Sequence, residues 1–158
     1  MPRFLTPAAL LALGGCSALS PYSHTTKLDL TLAGSERLNP DLHGRPSPIV
    51  LRLLELRHPV AFENADFFAL YQNPKQALAP DWVAQEEIEL RPGERRELKL
   101  SVQPGSRYVG VLAAYRDLPD AEWRFVIPLE EKAINRSELG LDEHGIRDLA
   151  ADPANTGK

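Results

Sequence analysis

Trp82-Val83-Ala84-Gln85-Glu86-Glu87-Ile88-Glu89-Leu90-Arg91-Pro92-Gly93-Glu94-Arg95-Arg96-Glu97-Leu98-Lys99-Leu100-Ser101-Val102 decides the fold class. Leu98, Leu100 and Val102 alternate with charged or polar residues, the period of a strand with one buried face. Trp82 to Leu90 is a second strand-forming run. Arg91-Pro92-Gly93-Glu94, between the two, has proline and glycine at the places a type II turn requires. The spacing predicts a β-hairpin. Gln103-Pro104-Gly105-Ser106 repeats that turn chemistry and feeds Tyr108 to Tyr115, a run so apolar that it reads as a central strand.

Working outward, Lys27-Leu28-Asp29-Leu30-Thr31-Leu32 alternates strictly, and Ile49 to Leu56 is apolar on both faces except at Arg52 and Glu55. The first predicts a half-buried strand, the second a strand covered on both sides. Asn64 to Tyr71 changes period: Phe67, Leu70 and Tyr71 share a helical face, Asn64 is placed to cap, and Asn73-Pro74 ends the helix. Another helical turn fits before Pro80. Three aromatics here fit a core-packing stripe better than a ligand pocket. Trp123, Phe125, Ile127 and Leu129 form the last predicted strand. Beyond Glu130 the pattern weakens; residues 132–134 extend pairing, and 137–149 read as a loose helix broken by Gly140 and Gly145. Six strands, no βαβ alternation and one helical insertion (about 64–79) predict an all-β, antiparallel two-sheet β-sandwich over 27–134, followed by a weakly structured tail at 135–158.

The amino terminus reads differently. Arg3, an apolar run from Phe4 to Leu13 and a small-residue exit describe a secretory signal peptide over residues 1–15. About ten residues at ~1.5 Å each make a helix of ~15 Å, too short for a hydrocarbon core of ~30 Å. Leu13-Gly14-Gly15-Cys16 resembles the bacterial lipobox. That resemblance implies cleavage between Gly15 and Cys16, a diacylglyceryl group on the Cys16 thiol and an acylated new amino terminus; the alternative is a free or buried cysteine. Residues 16–26 then form a lipidated tether. Ser17, rather than aspartate, after the cysteine points to the outer membrane by the enterobacterial sorting rule.

The chain of 158 residues carries 18 Lys and Arg against 22 Asp and Glu. Removing the fifteen residues ahead of Cys16 leaves 143, enough for one domain of ordinary size. No basic cluster favours nucleic acid. With a single cysteine, no intrachain disulfide is available, so the apolar core must hold the fold. His24, His43, His58 and His144 lie too far apart for metal-ligand spacing, and no metal or cofactor other than the lipid is expected. Glu86, Glu87, Glu89, Glu130 and Glu131 read as solvated faces rather than a glycosidase pair. Asn135-Arg136-Ser137 matches a glycosylation sequon, which means little if the chain is bacterial. No catalytic constellation is visible.

Residues 35–48, between the first two strands, are rich in turn-forming chemistry: Asn39-Pro40-Asp41, Gly44 and Pro46-Ser47-Pro48. Long ordered connections are disproportionately functional. Leu38 and Leu42 stand as its apolar residues, either packed back on the domain or held out for a partner.

The lipobox, the tether, the Leu-Arg-Leu-Leu-Glu-Leu strand at 51–56, the Phe67-Phe68 pair and the Leu-Arg-Pro-Gly-Glu turn at 90–94 follow in an order that resembles the TssJ (SciN) family, lipoproteins of the bacterial type VI secretion system. The resemblance covers most of residues 16–130. It implies a transthyretin-like sandwich with added helices and no enzymatic activity. It further implies outer-membrane anchoring on the periplasmic side and binding, through the first inter-strand loop, to the periplasmic C-terminal region of TssM in a complex that also contains TssL. On that reading Leu38, Asn39, Asp41, Leu42 and His43 are the partner-binding loop residues. A lipid-tethered ligand carrier and a cell-envelope hydrolase acting around Glu86 or His58 are the competing readings.

Overall fold

A computed structural model describes residues 24–151. The predicted signal peptide, Cys16, most of the tether and residues 152–158 lie outside the described residues.

Among the described residues, eight strands build two four-stranded sheets. In chain order they are β1 (Lys27–Gly34), β2 (Ile49–Leu56), β3 (Trp82–Leu90), β4 (Arg95–Ser101), β5 (Tyr108–Ala113), β6 (Arg124–Pro128), β7 (Ile134–Leu141) and β8 (Ile146–Asp148). One sheet has the order β4-β1-β7-β8, the other β3-β2-β5-β6. Leu28, Leu30, Leu32 and Leu139 face Ile49, Leu51, Leu53, Val109 and Val111 across a closed apolar core. Strict alternation in β1 gives one such face. On β2 the even positions Leu54 and Leu56 point to the opposite face, into a second core beneath the helices, which is why the apolar/polar alternation breaks at Leu53-Leu54. The sandwich prediction holds, with β2 central and covered on both sides.

Neither Pro-Gly turn makes a hairpin. β3 pairs with β2, while β4 pairs with β1 in the opposite sheet. At Arg91–Glu94 the chain therefore arches from one sheet to the other. Its amides serve β1 rather than a hairpin ladder: Gly93 N–H donates to Ser35 O (3.1 Å) and Gly34 N–H to Glu94 O (2.8 Å). Residues 103–106 likewise cross from β4 to β5, held by the Glu55 carboxylate, which accepts from Gln103 N–H and the Ser106 hydroxyl, both at 2.8 Å. Two amphipathic strands joined by a tight turn bury their apolar faces equally well side by side or facing each other, so alternation alone does not separate the arrangements.

The region after Glu130 is a second correction. Residues 134–148 are not a loose helix or tail: β7 is an interior strand, parallel to β1 over its whole length. The polar outward positions Arg136 and Glu138 masked its strand period, while Leu139 and Leu141 are fully inside. Gly140 and Gly145 are accommodations of this sheet, not helix breakers. A Cβ on Gly145, whose φ is +132°, would meet the Glu122 backbone at 2.5 Å. Asn135 donates to Lys27 O (3.2 Å) and Glu130 O (3.0 Å), tying the strand's start to its neighbours.

The helical insertion begins earlier than predicted, with α1 (Val60–Asn64), α2 (Phe67–Gln72) and α3 (Pro74–Ala77). Asp66, not Asn64, caps α2 by accepting from Ala69 N–H at 3.0 Å. Asn64 instead donates to Val60 O at 2.8 Å. Two arginines of the sheet staple these helices down. Arg52 lies 3.9 Å over the Tyr71 ring, donates to the Tyr71 carbonyl and pairs with Glu87 at 2.9 Å. Arg124 reaches the carbonyls of Phe62, Glu63 and Ala65, each at 2.8 Å. Gly110 leaves room for Phe62, whose ring a Cβ would meet at 3.0 Å.

Candidate functional site

β1 connects the two ends of the sandwich. At its start, Thr26 O accepts from Val102 N–H and Thr26 Oγ1 from Lys132 N–H, both at 2.9 Å. At its far end, past Gly34, the chain enters the loop of residues 35–48. Eight residues of strand at ~3.3 Å each span about 25 Å. The end of the domain toward the amino terminus and the β1–β2 loop are therefore opposite poles.

The loop is ordered by its own polar groups. Asn39 is buried (3 % exposed), with φ at +45°, a conformation asparagine tolerates better than most residues. Its Nδ2 donates to Pro48 O at 2.9 Å. Its Oδ1 accepts from Arg116 N–H at 2.9 Å, on the loop between β5 and β6. Asp41 closes the tip: Oδ1 accepts from His43 N–H (2.8 Å) and Arg45 N–H (3.0 Å), and Oδ2 from Arg45 Nε (2.9 Å). These bonds favour the charged carboxylate, the Arg45 amide most of all, and hold the Asp41 pKa below its ordinary value. Gly44, at φ +76°, completes the turn.

The five predicted loop residues consequently separate. Leu38 is 0 % exposed and packs in the main core, whereas Leu42 is 102 % exposed at the tip. Leu38 and Asn39 are thus corrected from partner contacts to internal supports; a side chain closed inside the sandwich offers no surface to another molecule. Asp41 shapes the tip, and Leu42 and His43 are displayed on it.

Sequence spacing gave no sign of the other components of this pole. Arg116 and Asp117, from the β5–β6 loop, and Glu143, from the β7–β8 turn, join Pro40, Asp41 and Leu42 around an open cleft of about 590 Å³. Arg37 on the first loop pairs with Glu143 at 2.8 Å. Glu122 N–H donates to His144 O at 2.9 Å, linking the other two loops. Asp142 pairs with Arg147 at 3.1 Å.

All four histidines are exposed, and among the described residues no group of three or more His, Cys, Asp or Glu is placed to hold a metal ion. Glu86 pairs in register with Leu53 in mid-strand, whereas His58 lies beyond the end of β2, so the residues weighed for hydrolysis sit at different levels of the sheet. No helix among the described residues is long and apolar enough to cross a membrane.

Residues 26–144 match the family model described as T6SS-SciN: Type VI secretion lipoprotein, VasD, EvfM, TssJ, VC_A0113. The chain belongs to the TssJ (SciN) family of type VI secretion lipoproteins. TssJ-family proteins are structural components of the secretion system, not enzymes. The fold is similar to the crystal structure of the T6SS lipoprotein TssJ1 from Pseudomonas aeruginosa, at 36 % identity and TM-score 0.76, covering 79 % of this chain and 95 % of that one. Serratia marcescens Lip, a membrane-bound component of the type VI secretion system, is similar at 25 % identity and TM-score 0.73, over 78 % of this chain and 97 % of that one. A chain of a type VI membrane complex is similar at 25 % identity and TM-score 0.69, over 78 % and 98 %. No curated protein sequence matches.

The segments that suggested TssJ kinship have physical roles in this fold. The strand at 51–56 carries Arg52 and Glu55, which hold the helices and the β4–β5 crossover. Phe67 meets Phe68, Tyr71 and Trp123 at ring-centroid distances of 5.3 to 5.5 Å. The turn at 91–94 fastens β3 and β4 to the end of β1, directly beneath the loop.

Proposed function

We propose that this lipoprotein is fixed to the periplasmic face of the outer membrane through diacylglyceryl and N-acyl chains on Cys16, and that it holds the periplasmic C-terminal region of TssM, in a complex with TssL, by the loop at its opposite pole. The observation that carries this reading is the polarity of β1, with the amino-terminal connection at one end and the ordered loop bearing Leu42 at the other. From Cys16 to the first described residue is a short tether: eight residues of extended chain reach at most about 28 Å. Two or more acyl chains give stable membrane attachment where one gives only reversible binding. A rigid sandwich with its loop pointing away from the bilayer can then restrain a partner without chemistry of its own.

The carrier reading finds less support, because the clefts among the described residues open on the surface and carry charged side chains, while the space between the sheets is filled by Leu, Val and Ile. The test of the anchoring reading is membrane fractionation. TssM's periplasmic region should sediment with outer membranes when the wild-type chain is present and lose that association with Cys16→Ser. Outer-membrane sedimentation of the Cys16→Ser chain would contradict the lipid anchor.

A further inference from the structure

The cleft at the loop pole has walls of two kinds. Pro40 and the wholly exposed Leu42 form an apolar wall, and Arg116, Asp117 and Glu143 form a polar one, with Asp41 at the margin. The carboxylates differ in how they are used. Asp41 is occupied by Arg45 and its own loop amides, and Glu143 by Arg37. Asp117 is exposed; it stands at the N-cap of the short 3-10 turn Leu118–Asp120 but its side chain makes no capping bond there, and no ion pair involves it among the described residues. Asp117 is thus the cleft-lining carboxylate left without a basic partner, beside Arg116 on the same loop. A side chain suited to both walls has an aliphatic stem and a cationic head, since lysine and arginine lay their methylenes on apolar surface while keeping the charge beside carboxylates or water.

We propose that this cleft receives a lysine or arginine side chain of the partner protein, with its stem against Pro40 and Leu42 and its head at Asp117. The docking surface is then a composite of two loops and a turn, not the β1–β2 loop alone. This rests on the reading that the loop pole binds TssM and specifies the chemistry of that contact. The hydrogen bond from Arg116 N–H to Asn39 makes the two walls one rigid unit, so the cleft is formed before the partner arrives.

The test is calorimetric titration of the full mature chain, in detergent, with the periplasmic C-terminal region of TssM, comparing wild type, Asp117→Lys, Asp117→Asn and Leu42→Asp. Asp117→Lys should weaken binding by about tenfold or more, because like charges meet in a partly desolvated site. Asp117→Asn should flatten the salt dependence of the affinity. Both variants should melt as wild type does, since Asp117 holds no internal bond. Wild-type affinity and salt dependence in both Asp117 variants, with Leu42→Asp still defective, would overturn the cleft assignment and leave the loop reading standing. Defective Asp117 variants with unaltered Leu42→Asp would uphold the cationic contact and remove Leu42 as its apolar companion. Absence of wild-type binding would bring down the loop reading and this inference with it.

Discussion

Asn39 and Arg116 are 77 positions apart in sequence, and the Arg116 N–H donates to Asn39 Oδ1 at 2.9 Å. With the bond from Asn39 Nδ2 to Pro48 O, one buried amide joins both ends of the β1–β2 loop to the β5–β6 loop. Asn39→Ala takes the partners from the part-buried Arg116 amide and Pro48 carbonyl, which costs about 1–3 kcal/mol. Chemical denaturation should register that loss, and TssM binding should weaken with it as the loop loses its support. An unchanged denaturation midpoint would mean that the loop is not held through this residue.

Leu38→Ala tests the corrected place of the first loop leucine. A fully buried leucine in a packed sandwich costs about 2–5 kcal/mol when truncated. Thermal unfolding should show a fall of several degrees. Stability equal to wild type, with binding lost, would return Leu38 to the interface.

How far the fold could be read from the sequence depends on what alternation reports. Leu28, Leu30 and Leu32 declare which face of β1 is buried, and Leu53-Leu54 declares that β2 is covered twice; both inferences rest on local period. Which strand sits beside which is a non-local matter. Arg91–Glu94 therefore looked like a hairpin, although its amides bond to Ser35 and β1. β7 was missed for a related reason: its pairing is parallel, to a strand 107 positions earlier by the register of Lys27 with Ile134, and its first half is polar. At the loop, residue chemistry exposed the turn but not the distinction between Leu38 and Leu42, which only packing makes. Arg116 and Asp117 on one connection and Glu143 on another reach the same pole through the topology of the sheets, and no spacing rule brings them together.

Gly110→Ala should destabilise the helical side of the molecule. The new Cβ would meet the Phe62 ring at 3.0 Å, in a buried core that Phe62 shares with Leu54, Leu70 and Leu112. Overpacking of this kind costs about 1–3 kcal/mol. Loss of stability in thermal melts is the expected outcome, together with faster amide exchange in α1. A neutral effect would show that α1 shifts freely over the sheet.

Acidification should loosen the loop tip. Because the folded Asp41 pKa is depressed, its stabilising contribution is complete above the ordinary aspartate value and disappears as pH falls through the lower, folded value. Amide resonances of His43 and Arg45 should therefore titrate below about pH 4 in the wild type and lose that titration in Asp41→Asn. A wild-type midpoint at the ordinary aspartate value would show that the carboxylate is not engaged by those amides.

The most direct measurement of the central claim is the affinity of the mature chain for TssM's periplasmic C-terminal region, with and without Leu42→Asp. Leu42 touches no core and is wholly exposed, so the substitution should leave the unfolding midpoint within about 0.5 kcal/mol of wild type. The account predicts saturable binding by the wild-type chain and its loss in Leu42→Asp. Equal binding by both chains, or none by the wild type, would contradict it.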